Sequence, residues 1–233
     1  MQYFYLPEIV SGQYFFDKNE SRHIAKVLRM QAGTDLIVVD GQGGKYLVKL
    51  EEVFDKKVSF SVLEKEEVGS QRNYFLHLLV APTKNIDRME WLFEKACELG
   101  VDRITPILCQ HSERKVIKPE RLEKILVAAM KQSQKALLPQ LDALCPIHEA
   151  MQLPFDGKRS LAYCEDKPVL SFTDQVKAHT RQQIFIGPEG DFSPTELKAA
   201  AENKIEWVHL GQSRLRTETA ALAAVHSCYL IHA

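Results

Sequence analysis

Long apolar runs are missing from this chain of 233 residues. No stretch approaches the roughly 18 residues that span a bilayer, so no membrane partner is expected. The opening residues, MQYFYLPEIV, lack the basic flank and small-residue cleavage site of a secretory signal. Cysteine is sparse, with five residues (Cys97, Cys109, Cys145, Cys164 and Cys228), odd in number and without a C-x-x-C pair. That usage argues against a disulfide framework and a zinc site, and for reduced thiols in the cytoplasm. The eight histidines show no H-E-x-x-H or comparable spacing, so no metal is expected. A G-x-S-x-G elbow is also absent, which leaves hydrolase chemistry without an obvious nucleophile. Charge of one sign is missing too: the net charge is −1, so composition gives no global signal for nucleic acid.

What is present changes character near residue 72. Before it, short apolar and aromatic runs (YFYL, QYFF, LIVV, KYLVKL, KVSFSVL) alternate with turn signals, notably DGQGG at 40–44. GQGGK lacks Walker spacing and a following helix, so a hairpin turn is expected there. One helix interrupts the runs, opened by Asn19 and carrying Ile24, Val27 and Leu28 at helical spacing. The region 1–72 reads as a small β-barrel. After the connector EKEEVGSQRN, strand-like runs alternate with helical ones. YFLHLLVAP, ITPILC, SLAYCE, IFIG and WVHLG are the strands; helices are expected at 85–99, 119–135, 168–179, 194–203 and from about Thr217 onward. Five strands alternating with helices predict an α/β fold with a mostly parallel sheet over 73–233.

Two irregular loops interrupt that pattern. In IFIGPEGDFSPTE (184–196) a buried strand runs into two glycines, a proline and two carboxylates, then into a helix opened by Ser193, Pro194 and Glu196. An ordinary strand-to-helix turn needs fewer special residues. The second loop, LGQSRLRTETAALAA (210–224), again leaves a strand at glycine and enters a helix. Glu218 in the first turn suits the positive end of the helix dipole, whereas Arg214 and Arg216 do not. Those arginines answer either to a salt bridge with Glu218 or Glu189, or to an anionic partner. Two such loops at neighbouring strand ends predict a cleft. Between Gln110 and Gln140, seven Lys or Arg face three Glu, a local basic excess that serves equally as a solvated helix face or a phosphate patch.

IGPEGDFSPTE followed by LGQSRLRTETAALAA resembles the two signature loops of the ribosomal RNA small subunit methyltransferase E family. HIAKVLRM (23–30), DRMEWLFEKACELGV (87–101) and HSERKVIK (111–118) extend the resemblance over nearly the whole chain. KQSQK at 131–135 departs from the family's EQSGR, and Ser213 stands where the family carries arginine. The resemblance implies a SPOUT-type sheet with a C-terminal trefoil knot, a PUA-like N-terminal barrel and a homodimer. It implies S-adenosyl-L-methionine as cofactor and methylation of N3 of one uridine in 16S rRNA of the small ribosomal subunit. Ribose 2′-O-methylation of RNA and a catalytically silent ribosome-assembly role are the alternatives.

On this resemblance the cofactor would be held by Tyr163, by Ile186, Gly187, Pro188, Glu189 and Gly190, and by Leu210, Gly211, Leu215, Thr217, Thr219 and Ala220. Arg216 would stabilise the developing uracil anion, with Glu218 as proton acceptor or orienting group. Arg22, Arg29, Lys84, Arg114, Lys131 and Arg214 are the candidate RNA contacts.

Overall fold

The computed structural model describes residues 1–69, 72–164 and 170–232. It forms two units, Met1–Gln71 with Met130–Leu138, and Arg72–Ala129 with Pro139–Ala233. Ser70 and Gln71 of the expected connector, Glu165 of SLAYCE, and residues 168 and 169 of the expected 168–179 helix lie outside the described residues.

In the first unit, β1 (Tyr3–Tyr5), β2 (Asp35–Val39), β3 (Gly44–Phe54) and β4 (Lys57–Glu67) form a sheet in that order. Phe15 adds a bridge to Ser59. Phe4, Phe16, Ile24, Leu36, Val48 and Phe60 fill its core. DGQGG is the β2–β3 turn, and Asp40 closes it by accepting the amides of Gln42 (2.7 Å) and Gly44 (2.9 Å). The helix α1 (Lys18–Arg22) is capped by Asp17, whose carboxylate accepts the Glu20 amide, two residues ahead of the expected Asn19. A π turn over His23–Val27 follows. The wider turn breaks the 3.6-residue spacing, so Ile24 is buried while Val27 faces out.

The second unit alternates as β5 (Phe75–Val80), α2 (Ile86–Leu99), β6 (Arg103–Leu108), α3 (Pro119–Gln132, whose last three residues belong to the first unit), β7 (Gln140–Leu141), β8 (Cys145–Pro146) and α4 (Ile147–Gln152). It continues with β9 (Lys158–Ala162), β10 (Leu170–Ser171), α5 (Phe172–Ala178), β11 (Arg181–Ile186), α6 (Pro194–Glu202), β12 (Glu206–His209) and α7 (Thr217–His232). The strand order is β10-β12-β9-β11-β5-β6-β7, with β8 beside β6, and every pairing among the described strands is parallel. Buried strands explain the continuous apolar runs at Leu78–Val80 and Ile184–Ile186. The local signals for α2 and α6 hold: Asn85 accepts the Asp87 amide, Gly100 ends α2 at φ 92°, and Ser193 and Glu196 form a capping box.

One level of this sheet is polar. Arg159, Gln183, His77 and Arg103 are register neighbours across β9, β11, β5 and β6. Arg159 donates to the Gln183 carbonyl (2.7 Å), the Gln183 amide donates to His77 Nδ1 (3.1 Å), and His77 Nε2 meets Thr105 (2.7 Å). Thr105 in turn donates to Asp142, which also accepts from Arg103 Nε at 2.7 Å. Gln183 spends its carbonyl on Arg159, so its amide faces Nδ1 and His77 carries its proton on Nε2. Burial, aided by the charges of Arg103 and Arg159, lowers the His77 pKa from 6.5 to about 4. Burial pushes Asp142 up, but the bonds from Arg103 and Thr105 outweigh it and hold that carboxyl below its ordinary range.

Candidate active site

β12, β9 and β11 lie side by side and end together at His209, Ala162 and Ile186. The chain beyond each end encloses a cleft of about 1100 Å³. Tyr163 and Cys164 enter it from β9, Gly187, Pro188, Glu189 and Asp191 from beyond β11, and Leu210 through Arg216 from beyond β12, with Thr217 and Ala220 of α7 completing the wall.

The loops are held by local turns and by bonds to one another. The Asp191 amide donates to Pro188 O (3.0 Å), which closes a turn with Asp191 at φ 60°. Phe192 is buried beneath Gly187, where an added Cβ would come within 3.0 Å of the ring. The Thr217 hydroxyl donates to Gly187 O at 2.9 Å and fastens the loop to the start of α7. Gly211 has φ 119° with open space beside it, so its glycine requirement is conformational. The Tyr163 amide donates to Val208 O (3.1 Å), and its ring packs edge-on against Trp207.

Of the expected cofactor residues, Tyr163, Ile186, Gly187, Pro188, Glu189, Leu210, Gly211, Leu215, Thr217 and Ala220 line the cleft. Gly190 and Thr219 do not: Gly190 backs onto His111, and Thr219 is exposed on α7. Arg216 is exposed, lines the cleft and has no ion-pair partner among the described residues. Glu218 lies off the lining. It is 7% exposed, one oxygen sits 3.5 Å from Arg88 of α2, and the other has no hydrogen-bond partner among the described residues.

The six candidate RNA contacts fall in both units. Arg22 and Arg29 are exposed in the first, and Lys131 is joined there to Glu20 at 2.9 Å. In the second, Arg214 is exposed at the cleft. Lys84 pairs with Glu113 (2.8 Å), and its amide donates to Glu189 (3.0 Å). Arg114 donates to the carbonyls of Thr83 (3.0 Å) and Lys84 (2.6 Å), bracing the loop between β5 and α2. Sequence reading missed Asp191, Cys164 and His209 as lining residues, although each adjoins a residue or motif already singled out. It also missed His111 and Arg88, whose contacts are long-range and leave no local signal. Among the described residues there is no group of three metal-ligating side chains, and no helix is long and apolar enough to cross a membrane.

A ligand cleft at the carboxyl edge of a parallel sheet, walled by glycine-bearing loops that feed helices, defines an α/β ligand-binding unit. A family model described as an RNA methyltransferase domain matches residues 70–228, and one described as an RNA methyltransferase PUA domain matches residues 16–63. A solved structure described as a probable rRNA-methyltransferase from Porphyromonas gingivalis is 37% identical, covers 100% of this chain and 98% of that one, and has a TM-score of 0.92. A ribosomal RNA small subunit methyltransferase E from Neisseria gonorrhoeae, bound to S-adenosyl methionine, is 26% identical over 100% of this chain and 98% of its own, with a TM-score of 0.89. The protein of the same description from Bacillus subtilis is 28% identical over 219 residues, 88% of this chain and 85% of that relative. The chain belongs to the ribosomal RNA small subunit methyltransferase E family of RNA methyltransferases.

Proposed function

We propose that this protein uses S-adenosyl-L-methionine to methylate N3 of one uridine in 16S rRNA of the small ribosomal subunit. The observation that carries the reading is the cleft: both signature loops face it, and its volume of about 1100 Å³ exceeds that of an ordinary small-molecule site. There is room for a cofactor and a nucleobase together. The residues fit the cofactor's mixed chemistry. Ile186, Pro188, Leu210 and Leu215 offer apolar surface for an adenine, and main chain at Gly187 and Gly211 offers donors and acceptors at close approach. The bound cofactor supplies a methyl group on a sulfonium.

The chain's own work is then placement and charge stabilisation. Uracil N3 is a poor nucleophile while it keeps its proton, and passing that proton to solvent water at the open cleft leaves negative charge on O2 and O4. Arg216 carries a guanidinium group, stands at the cleft and has no ion-pair partner among the described residues, so we assign it the stabilisation of that charge. Glu218 contacts Arg88 instead of facing the cleft, which supports a role in fixing the start of α7 beneath Arg216. Gly190 and Thr219 then serve the loop and the helix, and the other ten expected cofactor residues form the wall.

The wider reading follows the family. Residues 1–72 form a PUA-like β-barrel that grips RNA, and 73–233 a SPOUT-type domain with a C-terminal trefoil knot. Arg22, Arg29, Lys84, Arg114, Lys131 and Arg214 contact phosphate, the paired ones by exchanging carboxylate for phosphate. The protein acts in the cytoplasm as a homodimer. The outer side of α7, with Tyr229 39% and Leu230 61% exposed, supports a second copy there. Mass mapping of small-subunit rRNA from cells lacking the protein tests the assignment. One uridine should lose an N3-methyl group, and an unchanged methylation map would refute it.

A further inference from the structure

Beyond β6 the chain folds back on itself at Cys109–Ser112, where the Ser112 amide donates to Cys109 O (3.1 Å) and the Ser112 hydroxyl accepts the Cys109 amide (3.0 Å). This turn is fastened to the start of α6, because Glu196 accepts the Gln110 amide at 2.7 Å while its other oxygen accepts the Ser193 amide at 2.8 Å. Between those fixed points stands His111. Its Nδ1 lies 3.0 Å from the carbonyl oxygens of both Gly190 and Asp191. Carbonyl oxygens only accept, so Nδ1 carries a hydrogen and shares it between them. The stem of the same side chain is equally close: a Cβ at Gly190 would come within 2.9 Å of His111 Cβ.

What His111 touches governs the cleft wall. Asp191 holds φ 60°, a left-handed conformation uncommon outside glycine, and its own carboxylate accepts the Phe192 amide at 2.8 Å. That conformation delivers Phe192 into its buried seat under Gly187, and Gly187 in turn accepts the Thr217 hydroxyl. Gly187 to Glu189 then form the wall beyond β11. We propose that His111, which lies off the cleft lining, is the positioning residue for this loop. It presets the wall for the cofactor by holding two consecutive carbonyls from behind. The inference rests on the reading of the cleft as the S-adenosyl-L-methionine site.

The geometry names the atom that matters. Asparagine carries its amide nitrogen on Cγ, as histidine carries Nδ1, whereas glutamine places it one atom further out. Isothermal titration of full-length protein with S-adenosyl-L-methionine, alongside thermal melts, should therefore separate the variants. His111→Ala and His111→Gln should bind roughly three- to tenfold more weakly than wild type, the worth of one partly exposed hydrogen bond. His111→Asn should bind within about twofold, at melting temperatures that stay level across the three. Gly190→Ala gives a second route that leaves the imidazole in place. It should weaken binding in the wild-type background and do so far less when paired with His111→Gly, which removes the opposing Cβ. Wild-type protein that binds while His111→Ala binds equally well, or Asn no better than Gln, would overturn the positioning role alone. Wild-type protein that fails to bind would overturn the cleft reading and this inference together.

Discussion

At the level of His77 the parallel sheet carries a chain of polar side chains from Arg159 to Asp142, each spent on another within it. At the carboxyl edge of the same strands, Arg214 and Arg216 have no ion-pair partner among the described residues, and loop main chain borders an open cleft. Both levels mix charge with buried backbone, yet only one is unfinished. A closed polar chain serves the fold, because every desolvated group has its bond. An open one at a strand edge calls for a ligand to complete it. Composition does not distinguish the two; connectivity does.

The largest expected effect breaks the open end. Arg216→Ala should lower turnover by about 10² or more, the scale of removing one charge-stabilising donor, with cofactor affinity little changed. Single-turnover methylation of rRNA with titrated cofactor checks both halves. The reverse pattern is expected at the closed end. Asp142→Ala strips partners from Arg103 and Thr105 and should cost about 2–3 kcal/mol in denaturant unfolding, while the folded protein keeps its cofactor affinity.

Acid sharpens the same contrast. The folded pKa of His77 is depressed to about 4 from 6.5, so its contribution to stability is full above pH 6.5. It is lost as pH falls through 4, since the unfolded chain takes up the proton first. Stability measured from pH 7 down to 4 should fall across that window, and His77→Gln should flatten the fall. The smallest effect concerns the exposed Lys84–Glu113 pair, whose side chains are 72% and 53% exposed. Lys84→Ala should leave the unfolding midpoint in place, because an exposed pair adds little in water. It should weaken RNA binding and reduce the salt slope by about one if Lys84 trades its carboxylate for phosphate.

Local signals in the sequence carried the elements that local chemistry builds. Asn85, Gly100, Ser193 and Glu196 mark helix ends by capping, and the apolar runs at β5 and β11 mark buried strands. The two-residue strands β7, β8 and β10 and the short α4 carry too few residues for any period to show. Val27 was misplaced because a π turn changes the spacing on which helical faces are read. The cleft's loops were legible because their glycines and prolines sit at strand ends within one short motif each. Their supports were not: His111 reaches Gly190 across 79 positions of sequence, and Arg88 meets Glu218 only where α2 packs on α7. Glu218 illustrates the cost. Its nearness to Arg216 in sequence suggested a proton acceptor or orienting group at the cleft, and the turn of the helix aimed it at Arg88 of α2.

The central claim is that the open edge of the parallel sheet is completed by S-adenosyl-L-methionine. Isothermal titration of the full-length protein with that cofactor tests it most directly. The account predicts saturable binding that Asp142→Ala leaves intact and Gly211→Val, which forces a side chain onto a φ of 119°, abolishes or severely weakens. Folded wild-type protein that shows no heat of binding at cofactor concentrations near the millimolar range of weak ligands would contradict it.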